Sequence, residues 1–228
     1  MILKRSIKPS KRSAISTATV QGHPPIALPS PRFTRSRSVF TALKKRKTVR
    51  SIGKRKIPMQ MLSNLLWAAC GVNRKKGPFG VRGITAASAS NSQEIDLYVA
   101  MAEGVYRYEA SSHKLISVLG EDLRALAIGP GQGNFGAKAP VRLIYVVNID
   151  KFSKAGFQEP GLYNPEIQKS YYYIDTGLIA ENVYLFAASQ GLATWFHNCN
   201  RAALAKKLKL RPGQRALFGQ TVGYPSHY

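Results

Sequence analysis

Residues 86–93, Ala-Ala-Ser-Ala-Ser-Asn-Ser-Gln, run directly into residues 94–101, Glu-Ile-Asp-Leu-Tyr-Val-Ala-Met. Ile95, Leu97, Val99 and Met101 alternate at period two, which predicts a strand with one apolar face. Small residues before a strand let backbone approach a ligand closely, and Ser and Asn supply hydrogen-bond donors and acceptors. The same pattern is typical of a surface turn, and by itself it favours that interpretation.

The size and charge of the chain predict one basic domain. Its 228 residues suffice for one sizeable domain, and 44% of them are hydrophobic. The net charge is +23, and no Asp or Glu occurs before Glu94. Such a segment can bind polyanions, including nucleic acid, but no nucleic-acid motif accompanies it. A solvated tail with a local phosphate site is therefore the preferred interpretation.

Metal and membrane sites are not indicated by the sequence. Cys70 and Cys199 are too few for a disulfide framework, and the four histidines are scattered, so no metal site is predicted. No apolar run approaches the roughly 18 residues of a membrane span. The basic N-terminus has no apolar core behind it, as a secretory signal would have. A cytoplasmic protein without a membrane partner is the default expectation.

The periodicity of the chain predicts a sequence of elements. Residues 1–34, rich in Lys, Arg, Ser and Pro, are predicted to be an extended or disordered arm before a domain at 35–228. Helices are predicted over 38–45, from Pro58 as a first-turn proline to Gly71, and over 123–128, 166–190 and 201–209. Strands are predicted at 95–101, 105–108, 113–119, 141–147, 194–196 and 214–224, and a loop at 151–165.

Two of these helices carry further expectations. In the helix at 38–45, Val39, Ala42 and Leu43 share an apolar face, and Ser36 or Ser38 can cap it. The helix at 166–190 is apolar around much of its circumference, which predicts burial, in part at a dimer interface.

Three separated motifs resemble the FMN-dependent nitroreductase family from about Ser36 to Pro225. The basic segment, which we define as Arg46–Arg50 (Arg-Lys-Thr-Val-Arg), matches the family pattern Arg-x-Ser-x-Arg, with Thr in place of Ser. Ser88, Asn91 and Gln93 match Pro-Ser-x-x-Asn-x-Gln, with Ala87 in place of Pro. A long helix then ends in Gly-Leu-Ala-Thr at 191–194.

The resemblance implies a nitroreductase-like α+β fold with a central, mostly antiparallel sheet, flanking helices and a homodimer. It implies an FMN site, whose cofactor-binding residues would be Arg46, Lys47, Thr48, Arg50, Ser88, Asn91, Gln132, Gly191 and Leu192. The residues from the 86–93 stretch would reach the flavin of the partner subunit, and backbone N–H groups at Gly191–Leu192 would face the ring. Asn134 is an alternative to Gln132.

The implied activity is hydride transfer from NAD(P)H to a nitroaromatic, quinone or similar acceptor. Because the cofactor carries the chemistry, no catalytic side chain is predicted. Two alternatives stay open: a flavin dehydrogenase of peptide-derived heterocycles, and a non-catalytic basic binding protein on the same fold. Many family members continue past the last strand with an arm that carries phosphate ligands. The sequence given stops at Tyr228, which leaves phosphate binding to Arg46, Lys47 or the loop around Arg74.

Overall fold

Seven strands form one antiparallel sheet in the computed structural model, which describes residues 23–32, 38–132 and 139–226. The strands of this sheet lie in the order β1-β6-β5-β4-β7-β9-β8, and β2 pairs with β3 in a separate ribbon. Their bounds are β1 Ile26–Ala27, β2 Val72–Arg74, β3 Gly83–Ile84, β4 Ile95–Met101, β5 Gly104–Glu109, β6 Lys114–Leu119, β7 Val141–Asn148, β8 Ala193–His197 and β9 Gln214–Gly223. The expected sheet is confirmed.

Four α-helices are present in the described ranges: α1 Val39–Lys45, α2 Met59–Cys70, α3 Pro165–Gln190 and α4 Arg201–Lys207. The longest, α3, begins where the Asn164 side chain accepts N–H groups of the first turn, and it ends at Gly191 with φ 72°. Glycine adopts this left-handed conformation without a steric penalty, so the predicted stop is confirmed.

The sheet separates two apolar cores. Along β7, Leu143, Tyr145 and Val147 pack with α2 and α3, whereas Ile144 and Val146 pack with α4. Strand β7 is therefore buried on both faces, as its continuous apolar run predicts. Helices cover both faces of the sheet, which confirms the α+β architecture.

The predicted apolar face of α1 is largely exposed. Ser38 caps the helix by accepting the Thr41 N–H, and Ala42 is buried. Val39 is 66% exposed and Leu43 51%, and Phe40 between them is 84% exposed. Of the three residues on this predicted apolar face, only Ala42 is buried within the chain. Helix α1 packs along α3, and its outer side contacts solvent.

Three local predictions are wrong. Pro58 is the N-cap of α2 and not a first-turn residue. Residues 123–128 form successive turns and no α-helix, since Leu126 N–H and Ala127 N–H both bond Leu123 O and Gly129-Pro130 follows at once. Residues 151–165 contain short 3₁₀ turns at Ile149–Lys154 and Pro160–Tyr163 instead of a plain loop.

The described part of the N-terminal arm, residues 23–32, is extended and lies on the domain. Strand β1 pairs with β6, and Leu28 is buried. Asn64 of α2 exchanges two hydrogen bonds with the backbone of Arg32. The predicted arm at 1–22 and the boundary near residue 34 lie outside the described residues, so that division stays a prediction.

Candidate active site

The basic segment runs along the edge strand β8. Val49 N–H donates to Thr194 O at 3.0 Å, so the segment extends the sheet edge. Thr48 Oγ1 lies 3.2 Å from the hydroxyl of Tyr184 on α3, and the same hydroxyl accepts the Phe196 N–H at 3.0 Å. Tyr184 therefore fixes Thr48 relative to both α3 and β8. No sequence motif points to Tyr184, because it lies within an apolar helix pattern.

The two arginines of the basic segment stack on aromatic rings. The Arg46 guanidinium lies 5.4 Å from the Tyr184 ring centroid, and that of Arg50 lies 5.6 Å from the Trp195 ring centroid. A stacked guanidinium keeps its in-plane N–H groups directed outward, where they can bond a carboxylate, phosphate or carbonyl edge. Both arginines are thus oriented without being paired to an acid in any described ion pair.

A groove of about 390 Å³ lies between the basic segment and the C-terminal end of α3. We call it the lysine groove, since Lys44, Lys45 and Lys47 line it and its described lining contains no carboxylate. Val49, Tyr184, Ala187, Ala188, Gly191, Leu192, Thr194 and Pro225 complete it. Its volume lies at the lower end of the range typical of small-molecule sites. Clustered cations without acids favour a phosphate-bearing ligand.

Gly191 and Leu192 line the lysine groove, but their N–H groups are occupied. Both donate to Ala187 O, as the left-handed turn at Gly191 requires. The expectation that these N–H groups face a ring is therefore wrong. Gly191 contributes a turn without a side chain to the groove, and Leu192 contributes an apolar wall.

The stretch at 86–93, which we call the Ser/Asn turn, is a strained and well-fixed structure. Ser90, Asn91 and Gln93 all have φ near 50°, a region that non-glycine residues rarely adopt. Ser88 Oγ accepts the Gln93 N–H at 3.0 Å, and the side chains of Asn91 and Gln93 both donate to Arg82 O. Such strain persists only where surrounding contacts hold it, and it clusters at functional sites.

Two charged residues fasten the Ser/Asn turn to the domain. Asp175 of α3 accepts the Ala89 N–H at 2.9 Å. Lys151 donates to Gln93 O at 2.9 Å and to Asp96 Oδ1 at 2.7 Å. Sequence reasoning missed both residues. The lone acid in the apolar stretch Tyr171–Ile179 was the available signal for Asp175, and none marks Lys151.

Asp175 shares its buried position with a second carboxyl group, that of Glu94. Their exposed fractions are 4% and 0%. Burial, together with the charge of Glu94, raises the pKa of Asp175 to about 7. The Ser92 hydroxyl donates to Glu94 Oε2 at 2.6 Å, while Oε1 has no hydrogen-bond partner among the described residues. The Ser/Asn turn thus rests on Asp175, a buried carboxyl group that favours retention of a proton.

The lysine groove and the Ser/Asn turn of one chain lie apart. They contact α3 through Tyr184 and Asp175 respectively, nine positions apart, which is about 13 Å along a helix axis. One chain therefore holds the two features at separate positions along α3. Gln132 lies in neither feature. Its side chain accepts the Gly129 N–H, and Gly129 in turn lies beside Asn198, just after the C-terminal end of β8. Asn134 lies outside the described residues.

The described ranges contain neither a metal site nor a membrane-spanning helix. They contain no group of three or more His, Cys, Asp or Glu side chains that could bind a metal ion. No helix in them is long and apolar enough to cross a bilayer. The cytoplasmic location expected from the sequence stays a prediction.

The sequence model of the Nitroreductase family matches residues 43–224. The chain belongs to the nitroreductase family. It is 30% identical over 157 residues to the Methanocaldococcus jannaschii nitroreductase homologue MJ1384, covering 66% of this chain and 73% of that one. A Ralstonia eutropha crystal structure described as a nitroreductase superposes with a TM-score of 0.79 at 32% identity, covering 98% and 97% of the two chains.

Two more distant nitroreductase-fold structures share the architecture alone. The NADPH:FMN oxidoreductase of Vibrio harveyi, complexed with NAD⁺, superposes with a TM-score of 0.56 at 16% identity, covering 83% of this chain and 69% of that one. A chain of the Escherichia coli microcin synthetase McbBCD complex superposes with a TM-score of 0.66 at 15% identity, covering 99% and 85%. Membership and fold together support a flavin-type oxidoreductase.

Proposed function

We propose that this protein is an FMN-dependent oxidoreductase that takes hydride from NAD(P)H and passes it to a nitroaromatic, quinone or similar acceptor. The observation that carries this proposal is the lysine groove beside the basic segment, on a chain of the nitroreductase family. Lys44, Lys45 and Lys47 line this groove, whereas Arg46, Thr48 and Arg50 lie on the same segment outside its lining. The lysines suit a dianionic phosphate, and the hydroxyl and guanidinium groups beside them suit the polar chain and ring of the same cofactor.

Different residues of the basic segment bind different parts of the proposed cofactor. Arg46, Lys47 and the neighbouring lysines hold the phosphate end, and Thr48 supplies a hydroxyl oriented by Tyr184. Arg50 faces the pyrimidine edge of the ring, where a fixed cation favours the negatively charged reduced form. When bound, FMN supplies the hydride-carrying chemistry, and the protein binds and orients the two substrates over the ring.

The proposed site is completed by a second copy of the chain. Helix α1 packs along α3, and both helices carry exposed apolar residues, which include Ile174 and Leu178 of α3. Exposed apolar side chains on neighbouring helices are typical of an interface. In the homodimer the partner's Ser/Asn turn brings Ser88 and Asn91 to the flavin of the first chain. The rigid anchoring of that turn is what a preformed half-site requires.

An exposed aromatic pair favours a flat acceptor. Phe79 and Phe157 have ring centroids 5.3 Å apart, and both are exposed. Phe79 lies in the same loop as Arg82, whose carbonyl the Ser/Asn turn bonds. Aromatic faces stack readily on nitroaromatic or quinone rings. We therefore assign this pair to the outer wall of the acceptor site.

Two other functions compete with this proposal. One is a flavin dehydrogenase of peptide-derived heterocycles on the same fold, and the solved complex of microcin synthetase with truncated pro-MccB17 shares that fold. The net charge of +23 favours a basic binding protein without flavin. Turnover of a nitro compound with NADH or NADPH would support the proposed reductase. Oxidation of a thiazoline peptide without nitro turnover would replace it with the dehydrogenase, and salt-sensitive DNA binding by a flavin-free protein would replace both.

A further inference from the structure

A second cavity of about 390 Å³ lies apart from the lysine groove. It opens between the segment that precedes α2 and the turn that joins β4 to β5. Leu62, Met101, Tyr106 and Val141 form an apolar floor. No described residue lines both this cavity and the lysine groove. Its chemistry is therefore independent of the flavin proposal.

The rim of this cavity is positively charged. Lys54, Lys56 and Arg124 face a single acid, Glu103. Lys56 pairs with Glu103 at 3.1 Å, and Arg124 pairs with Asp122 at 2.7 Å. Lys54 has no side-chain partner among the described residues, so it is the rim cation that can bind an anion without breaking an existing pair.

A polar group in the wall of the cavity also lacks a partner. Tyr106 is only 3% exposed, and its ring packs in the main core. Its hydroxyl forms no hydrogen bond with any described residue and is not one of the buried polar atoms that lack a partner, so its oxygen is accessible from the cavity. The hydroxyl can therefore donate to a ligand oxygen inside the cavity.

We propose that this cavity binds a small amphipathic carboxylate, with its apolar tail on the floor and its carboxylate between Lys54 and the Tyr106 hydroxyl. Apolar walls with a few convergent polar groups are the usual composition of a small-molecule site. A neutral lipid would leave the rim charge unmatched. The arm at residues 1–22 is an unfavourable occupant, because it contains no acid and several cations.

Isothermal titration of the full-length protein with decanoate tests this proposal, with decanol as the neutral probe of equal length. We expect saturable decanoate binding that is about tenfold tighter than decanol binding, the effect of one charged hydrogen bond. Lys54→Gln should reduce the decanoate affinity to that of decanol. Lys206→Gln, which removes a positive charge from exposed α4, should change neither.

A variant that fills the cavity mouth provides a second test of binding in this cavity. Ala102 lies exposed in the β4–β5 turn at the cavity mouth, so Ala102→Trp should block decanoate binding while leaving the far-ultraviolet circular dichroism unchanged. Added FMN should not compete with decanoate. The assignment would be overturned if decanoate showed no saturable binding, or if FMN displaced it. It would also be overturned if the folded Ala102→Trp variant bound decanoate as tightly as the native protein, or if Lys54→Gln and Lys206→Gln lost the same affinity.

Discussion

The Tyr184 hydroxyl accepts the Phe196 N–H at 3.0 Å and lies 3.2 Å from Thr48 Oγ1, so one phenol joins the basic segment, α3 and β8. Tyr184→Phe leaves the buried Phe196 N–H without this acceptor and releases Thr48. We expect the free energy of unfolding in urea to fall by about 1–3 kcal/mol, and FMN affinity to fall several-fold. Tyr173→Phe, the same change at an exposed position of α3, should alter neither; equal losses would show that Tyr184 has no special role.

Arg50 should matter for the flavin, whereas a nearby stacked arginine should not. Arg50→Ala removes the cation that lies over Trp195. If that cation contributes about 1.5–3 kcal/mol, FMN affinity or the ease of its reduction should fall roughly tenfold or more. Arg55, stacked 4.1 Å from the Tyr224 ring centroid, is the matched control. Fluorescence titration with FMN measures both variants, and equal effects would contradict the assignment of Arg50.

The sequence predicted most of the elements because their periodicity and breakers are local. The strand at Ile95–Met101, the long helix ending at Gly191 and the Ser38 cap depend only on neighbouring residues. The contacts that shape the site are long-range: Tyr184 with Thr48, Asp175 with Ala89, and Lys151 with Gln93. Nothing in a local pattern pairs residues so far apart.

The incorrect predictions also arise from effects that local sequence patterns do not show. Residues 123–128 have helical composition, but the segment is too short to offset the cost of nucleation before Gly129-Pro130. The N–H groups of Gly191 and Leu192 appear free in the sequence, and only the left-handed turn shows that Ala187 O binds both. The apolar face of Val39, Ala42 and Leu43 follows from local periodicity, but what covers Val39 and Leu43 does not, and the proposed homodimer gives them a surface to contact.

The raised pKa of Asp175 leads us to expect that stability falls as the pH rises. Its folded-state pKa of about 7 lies above the ordinary value of 3.8, so the native state binds more protons than the unfolded state between those pH values. The free energy of unfolding must therefore fall as pH rises from about 4 to 7. Asp175→Asn keeps an acceptor for the Ala89 N–H but does not titrate.

We expect the melting temperature of Asp175→Asn, relative to the native protein, to rise from pH 5 to pH 7 and to level off by pH 8. A gain of 1 kcal/mol corresponds to about 2–4 °C in a chain of this size. Asp150→Asn, at an exposed acid, is the control and should show no such trend. A difference that is constant with pH would mean that Asp175 is ionised throughout.

Phe79 should affect the acceptor more than the cofactor. Phe79→Ala removes one ring of the exposed pair, so the KM for a nitroaromatic acceptor should rise several-fold, with FMN content and the KM for NAD(P)H unchanged. Phe40→Ala, at an exposed aromatic of α1, tests a different surface and should instead weaken dimerisation. An unchanged acceptor KM in Phe79→Ala would remove the pair from the proposed site.

In the proposed homodimer, two copies of this chain bind FMN between them, with the lysine groove of one subunit facing the Ser/Asn turn of the other. Sedimentation equilibrium of the purified, FMN-loaded protein, recorded at the flavin absorption band, tests it most directly. We expect a yellow protein whose flavin sediments at the mass of a dimer, with one FMN per chain. Flavin that sediments with a monomer, or a colourless protein that takes up no FMN, would contradict it.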